Sequence, residues 1–201
     1  TALTYHEPYA SSTSEMVTEL LQYIDEGESL SKTTAEALYS GIALDTKNFT
    51  LKTGVRTFEA AAYLRQKGVD PSAVKQLFQN NMELYRMKSD IVVSAQVYRK
   101  NIAIAINTNQ CDDMVSIVAS AADELLGIDG ITASFVLSRT GNIIHISGRS
   151  LGEINVQLIL ELLGGGGHST VAGAQVEGTI QEVKEKSKEA IDTYFENQKQ
   201  G

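Results

Sequence analysis

From Met16 onward apolar residues recur at helical spacing, as Met16, Leu20, Tyr23 and Ile24. Ser12-Thr13-Ser14-Glu15 ahead of them reads as a capping box, with Ser12 as N-cap and Glu15 reaching back to it, and Gly27 closes the run. Ala35, Leu38, Tyr39, Ile42 and Ala43 predict a second helix, and residues 57–67 a third, ended by Gly68. Asp70-Pro71 opens a fourth, because the fixed φ of proline suits a first helical position. Residues 80–89 predict a fifth.

Near Ile91 the pattern changes. Ile102, Ile104 and Ile106 alternate with Ala103 and Ala105, apolar on both faces, which predicts a central strand. Arg99-Lys100-Asn101 reads as a hairpin turn joining it to a strand over 94–98. Asp112 or Asp113 can cap a helix that buries Val115, Val118, Ala122, Leu125 and Leu126. Ile131, Ala133, Phe135 and Leu137 form one face of a strand, opposite Thr132, Ser134 and Ser138. Thr140-Gly141-Asn142 turns it into a partner strand holding Ile144 and Ile146. Residues 153–163 predict a short helix, apolar nearly all round and therefore buried. After a glycine run come a strand over 174–177 and an amphipathic helix that turns Val183, Ala190, Ile191 and Tyr194 inward, with Glu182 and Lys186 as an i,i+4 pair. The expected architecture is α/β: a helical piece over 1–68, a helical connector over 69–91, and from 92 to 201 a domain with a mixed sheet flanked by helices.

Length and composition narrow the function classes. The 201 residues suffice for two small cores. No apolar run approaches the ~20 residues of a membrane span. The N-terminus has neither the basic start nor the apolar centre of a signal peptide, and it lacks an initiator Met, so the chain is expected to be part of something longer. The single Cys111 can form no intrachain disulfide, which fits a reducing cytosol. A net charge of −8 argues against a basic face for long nucleic acids, so no strong binding to long duplex DNA is expected. A small anion at one local site is compatible with it.

The most informative stretch is Gly164-Gly165-Gly166-Gly167-His168. Ending a helix needs one glycine, and Gly164 can serve. The others let backbone approach a ligand and aim several N–H groups at one anion, while His168 adds a donor of near-neutral pKa. A hinge or a tight helix–strand crossing accounts for the glycines equally well. No Lys-Ser/Thr follows, so this is no Walker loop. Arg149 and Ser150 end the strand that leads toward the glycines, and the arginine fork suits phosphate. Asp45 falls at the C-terminal end of a helix, the wrong end for a negative charge, so a metal or Lys47 should offset it. It is also readable as an ordinary exposed helix-end residue. Arg56 either meets ligand or pairs with Glu59 one turn on. His145 reads as a surface strand residue, and nothing singles out His6.

Taken together, Ile146-Ser147-Gly148-Arg149-Ser150, Asn155-Val156-Gln157-Leu158-Ile159, Gly164–His168 and Ala172-Gly173-Ala174 resemble the signature of a DHHA1 domain. Upstream, residues 41–49 resemble the last block of a DHH domain, and the stretch through Thr53-Gly54-Val55-Arg56-Thr57-Phe58-Glu59-Ala60-Ala61 is similar to the GdpP/YybT-type cyclic-di-AMP phosphodiesterases. The resemblance implies a manganese-dependent enzyme opening cyclic di-AMP to pApA. Two metals would polarise the phosphate and generate hydroxide. It also implies that Asp45 ligates metal, that Gly166, Gly167 and His168 hold nucleotide phosphate, and that Arg149 and Ser150 line the same cleft; Gly165 and Arg56 complete the candidate substrate-binding set on their own residue chemistry.

The His-x-Asp-x-Asp block and the Asp-His-His triplet of that family are absent from this sequence. The chain is therefore expected to be inactive alone, supplying one metal ligand and the nucleotide-binding domain to a longer, membrane-anchored protein whose catalytic part faces the cytoplasm. A nanoRNA or RecJ-like exonuclease acting on short oligonucleotides, and a binding module without catalysis, are the alternatives. A homodimer is left open.

Overall fold

The computed structural model describes residues 4–24, 30–79, 81–109 and 114–198. Gly27, Asn80, Cys111, Asp112 and Asp113, on which some of the expectations above fall, lie outside them. The chain forms two compact units, Thr1–Gln79 and Asn80–Gly201.

The first unit contains α1 (Thr13–Ile24), α2 (Lys32–Asp45), α3 (Val55–Gln66) and α4 (Pro71–Leu77). Ala35, Ile42, Ala60, Leu64, Val69 and Val74 form its core. The Ser12 hydroxyl accepts the Glu15 N–H at 3.1 Å, as an N-cap should. The Glu15 carboxylate, however, takes the N–H and hydroxyl of Ser11 rather than the N–H of Ser12. Two donors from one residue satisfy a buried carboxylate better than one.

The expected inward stripe of α1 is also corrected. Glu15 and Thr18 are its buried residues, while Leu20, Tyr23 and Ile24 are exposed. The cause is a close crossing: a Cβ on Gly41 of α2 would run into the Ser14 side chain. Small residues face each other there, and the larger ones turn outward.

The connector expected over 69–91 is divided between the units. α4, capped by the Asp70 carboxylate accepting the Ser72 N–H at 3.0 Å, buries Val74 in the first core. α5 (Met82–Val93), capped by Asn81, buries Ile91 in the second unit.

The second unit continues with β1 (Gln96–Tyr98), β2 (Ile102–Asn107), α6 (Met114–Leu125), β3 (Ala133–Thr140), β4 (Ile143–Ser150), α7 (Val156–Glu161), β5 (Gly166–His168), β6 (Val171–Glu177) and α8 (Ile180–Gln198). The strands form one sheet in the order β1-β2-β3-β4-β6-β5. Only the β2–β3 pair, joined through α6, is parallel. Arg99 and Lys100 both take positive φ, 47° and 71°, as a tight hairpin turn requires.

α7 and α8 cover one face of the sheet over Phe135, Leu137, Ile144, Ile146, Ala172 and Ala174. α6 covers the other over Ala103, Ala105 and Val136. This two-sided cover changes three expectations. Ser134 and Ser138 are buried under α6, and the Ser134 hydroxyl donates to the Ala122 carbonyl at 2.6 Å, so its burial leaves no orphan donor. Val115, expected inside, is 76% exposed, because α6 buries Ile117, Val118, Ala121, Ala122 and Leu125 instead. α7 is shorter than 153–163, since Asn155 caps it through the Gln157 and Leu158 N–H groups; Leu158 and Leu162 stay half-exposed.

Glu182 opens α8 by accepting the Thr179 N–H at 2.9 Å, a capping contact that takes the place of a dominant pairing with Lys186. Further along, Tyr98 and Arg99 both donate to Asp192, tying α8 to the β1–β2 hairpin. Burial alone would raise the Asp192 carboxyl, but the bonds from Tyr98 and Arg99 outweigh it and hold it below the usual carboxylate range. A carboxylate depressed on folding contributes stability above its unfolded pKa, about 3.9, and loses it as pH falls through the folded value. Urea midpoints measured between pH 6 and 3 should therefore fall steeply below about pH 4. Asp192→Asn should lower the midpoint at pH 6 and flatten that acid limb.

Candidate functional site

Beyond β3 the α6 face of the sheet opens. α6 leans over β4, while β6 and β5 continue past it uncovered, leaving a groove of about 640 Å³. Strand alternation fixes what lines it: His145, Ser147 and Arg149 of β4 point to the α6 side, and the residues between them point to the opposite core. Across the sheet, Arg149 pairs in register with Val171 and Val171 with His168; Ser147 pairs with Gly173 and Gly173 with Gly166; His145 pairs with Gln175.

Arg149 is fixed from two sides. Its Nε lies 3.3 Å from the Asp123 carboxylate of α6, and its Nη1 donates to the Ser147 hydroxyl at 3.0 Å and the Gly148 carbonyl at 2.8 Å. The side chain is 13% exposed, and Nη2 donates to no group among the described residues. A guanidinium held this way keeps one edge for an anion in the groove.

His168 shares the row and face of Arg149 two strands away, a backbone separation of about 10 Å, and its side chain is exposed. Ser150 points to the opposite face, where it is buried and its hydroxyl accepts the Gly152 N–H at 2.9 Å. It does not stand in the groove beside Arg149.

The glycines divide by cause. Gly164 has φ +78°, and its N–H and that of Gly165 close α7 onto the Glu161 and Leu160 carbonyls. A Cβ on Gly165 would overlap the Gly173 carbonyl and lie 2.6 Å from the Ala174 Cβ. One on Gly167 would lie 2.5 Å from the Val171 carbonyl oxygen and 2.6 Å from the Ala172 Cα. Close contact with β6 therefore accounts for both. A Cβ on Gly166, as on Gly164, meets nothing within 4 Å, but Gly166 has no left-handed φ, and it lies on the groove face. The first two glycines thus end α7 and the last two enter β5 at the edge of the sheet, where Gly166 is a bare backbone position open to the groove.

In the first unit, Arg56 pairs with Glu19 through Nε and Nη2 at 2.7 and 2.5 Å and with Glu7 through Nη1 at 2.9 Å, not with Glu59. Bonding to these carboxylates pushes the guanidinium up, and Arg56 in turn holds the Glu7 carboxyl low. Its charge is committed within the protein.

Asp45 ends α2, exposed, with neither a hydrogen bond nor an ion pair from the described residues. Its setting is unusual: Lys47, Asn48 and Phe49 follow in left-handed conformation at φ 47°, 55° and 62°. The Thr46 hydroxyl accepts the Phe49 N–H at 2.9 Å, and the Phe49 ring packs between Tyr39 and Phe58. Among the described residues no group of three or more His, Cys, Asp or Glu could hold a metal ion, so Asp45 belongs to no such cluster there.

Sequence reasoning passed over His145 and Gln175, both on the groove wall. The signal was available for His145, which lies four residues before Arg149 and so on the same strand face.

The chain matches the DHHA1 domain family over residues 110–197. More particularly, it is 48% identical over 200 residues to the cyclic-di-AMP phosphodiesterase GdpP of Geobacillus thermodenitrificans, which covers 98% of this chain and 30% of that protein. The cyclic-di-AMP phosphodiesterase PdeA of Listeria monocytogenes is 46% identical over 198 residues, with the same two coverages, 98% and 30%. Among solved structures, an exopolyphosphatase-related protein from Bacteroides fragilis matches with a TM-score of 0.83 and 25% identity, over 96% of this chain and 59% of that one. The chain thus spans about 30% of the length of the curated relatives it matches.

Proposed function

We propose that the groove of the second unit holds the phosphate of a small nucleotide, and that the chain is the nucleotide-binding part of a phosphodiesterase converting cyclic di-AMP to pApA. The observation that carries this reading is Arg149, a largely buried guanidinium fixed by Asp123 and Ser147 with Nη2 uncommitted on the groove wall. Gly166 offers bare backbone two strands away in the Ser147–Gly173 row, and His168 a further donor at the outer edge of the Arg149 row. The choice of cyclic di-AMP over a short oligonucleotide rests on the two relatives named for that activity.

Manganese belongs to the proposal only as a centre completed elsewhere. Asp45 would be one ligand, and the described residues gather no cluster of three or more around it. Among the described residues the groove holds no cluster of three or more metal-ligating side chains, and in this reading the chain binds nucleotide without hydrolysing it. Among the described residues no helix is long and apolar enough to cross a membrane; in this reading any anchor belongs to other parts of a longer protein, and this portion faces the cytoplasm.

The expected result is that the purified chain binds pApA but releases none from cyclic di-AMP with manganese. Binding is read by calorimetry and turnover by chromatography of the nucleotide products. Metal-dependent pApA release from the chain alone would contradict the division of roles.

A further inference from the structure

The groove is longer than one phosphate needs, and its two ends differ in chemistry. His145 and Arg149 stand about 13 Å apart along β4. α6 runs beside them over the same length, about 13 Å from Met114 to Asp123. Contacts fix its direction: Asp123 meets Arg149 at one end, while at the other the Asn107 amide reaches both the Met114 sulfur, at 2.7 Å, and the Ser138 hydroxyl, at 3.0 Å. Ser138 is the register partner of His145. The Arg149 end thus presents the open edge of a guanidinium paired to Asp123, with the bare backbone of Gly173 and Gly166 in the Ser147 row, whereas the His145 end is walled by the first turn of α6.

That first turn presents Met114 and Val115 to the groove, and Val115 is exposed although it sits beside a buried helix face. Opposite them, His145 and Gln175 are register partners on adjacent strands, one half-buried and the other exposed, and neither side chain makes a hydrogen bond among the described residues. An imidazole and an amide each offer both a donor and an acceptor. Side by side next to an apolar wall, they suit a flat heteroaromatic ring: the wall takes its face and the polar pair its edge. Lone phosphate needs neither.

We propose that this end is a nucleobase subsite, with His145 and Gln175 reading the base edge and Met114 and Val115 packing on the ring, for a nucleotide whose phosphate lies at Arg149. The inference rests on the reading of the Arg149 end as a phosphate site, and it adds residues that set specificity for the base. An extended nucleotide is about as long as the His145–Arg149 span, so one residue of a dinucleotide can occupy both ends, and its partner residue then lies outside the groove.

The test compares AMP with ribose 5-phosphate, which carries the same phosphate and sugar without the base, by calorimetry on the chain as it stands. AMP is expected to bind about 10-fold or more tightly, the worth of one or two hydrogen bonds plus a ring contact. His145→Ala with Gln175→Ala should bring AMP down to the level of ribose 5-phosphate and leave ribose 5-phosphate unchanged, whereas Arg149→Ala should weaken both ligands. His145 is half-buried and Gln175 exposed, and circular dichroism checks that the fold is kept. Equal binding of the two ligands by the unaltered chain, or no loss of AMP affinity in the double variant, overturns the base subsite while leaving the phosphate site standing. Binding of neither ligand overturns both.

Discussion

Replacing Arg149 with alanine is expected to weaken pApA binding about 10- to 150-fold, the equivalent of losing a charge-assisted hydrogen bond worth roughly 1.5–3 kcal/mol. The guanidinium is held before any ligand arrives, because Asp123 on α6 and Ser147 on β4 fix two of its nitrogens. Little side-chain freedom is left to lose on binding, which is what makes a preorganised donor effective. Arg149→Lys should recover little of the loss. A single ammonium cannot reach Asp123, Ser147 and a phosphate with the geometry of the planar fork. Asp123 is partly exposed, so removing its partner leaves a carboxylate that water can reach, and the fold should survive. Calorimetry against pApA gives the affinities; a urea midpoint close to that of the unaltered chain confirms that the loss is local.

The glycines are expected to separate by effect as sharply as they separate by environment. Gly165→Ala and Gly167→Val each drive a side chain into β6, against the Gly173 and Val171 carbonyls. Backbone atoms cannot swing aside as a flexible side chain can, so the cost should reach or exceed the upper end of overpacking, about 3 kcal/mol. Gly167 adds strain, since its φ of +147° is one that residues with a Cβ rarely adopt. Both variants should lower the thermal midpoint of the second unit by about 10 °C or more. Gly166→Ala should change stability by no more than about 0.5 kcal/mol, because its Cβ meets nothing, yet should reduce pApA affinity by covering backbone that faces the groove. If all three variants lost stability alike, the strand-edge account of the run would be wrong.

Much of this was legible in the sequence. The apolar alternation of Ile102–Asn107, the caps at Ser12 and Asp70 and the turns at Arg99 and Gly141 have local causes, and local causes are visible in short windows. What depended on distant partners was not. Leu20, Tyr23 and Ile24 have a helical stripe that points outward because Gly41 and Ser14 bring two helices close together, a contact between residues 27 positions apart. Arg56 chose Glu7 and Glu19 over its helical neighbour Glu59 for the same reason.

The candidate site divides in the same way. Arg149 could be placed at a strand end from its neighbours alone. That the glycine run would become a strand pairing with β6 could not, since four glycines carry no alternation to read. The close contacts that require glycine at 165 and 167 lie in β6, at Gly173 and Ala174 and at Val171 and Ala172, which the chain reaches only after its next turn. Ser150, adjacent to Arg149, necessarily faces the other side of the sheet, so an arginine–serine pair on one strand cannot serve one groove with both side chains.

The central claim, that the groove beside Arg149 holds nucleotide phosphate, is tested most directly by following backbone amide resonances of the chain as pApA is added. The account predicts that the largest shifts fall on Gly166, Ser147, Arg149 and Gly173, which meet at the groove floor, and that they disappear in Arg149→Ala. Shifts confined to the first unit around Arg56 and Glu19, or none at saturating nucleotide, would contradict it.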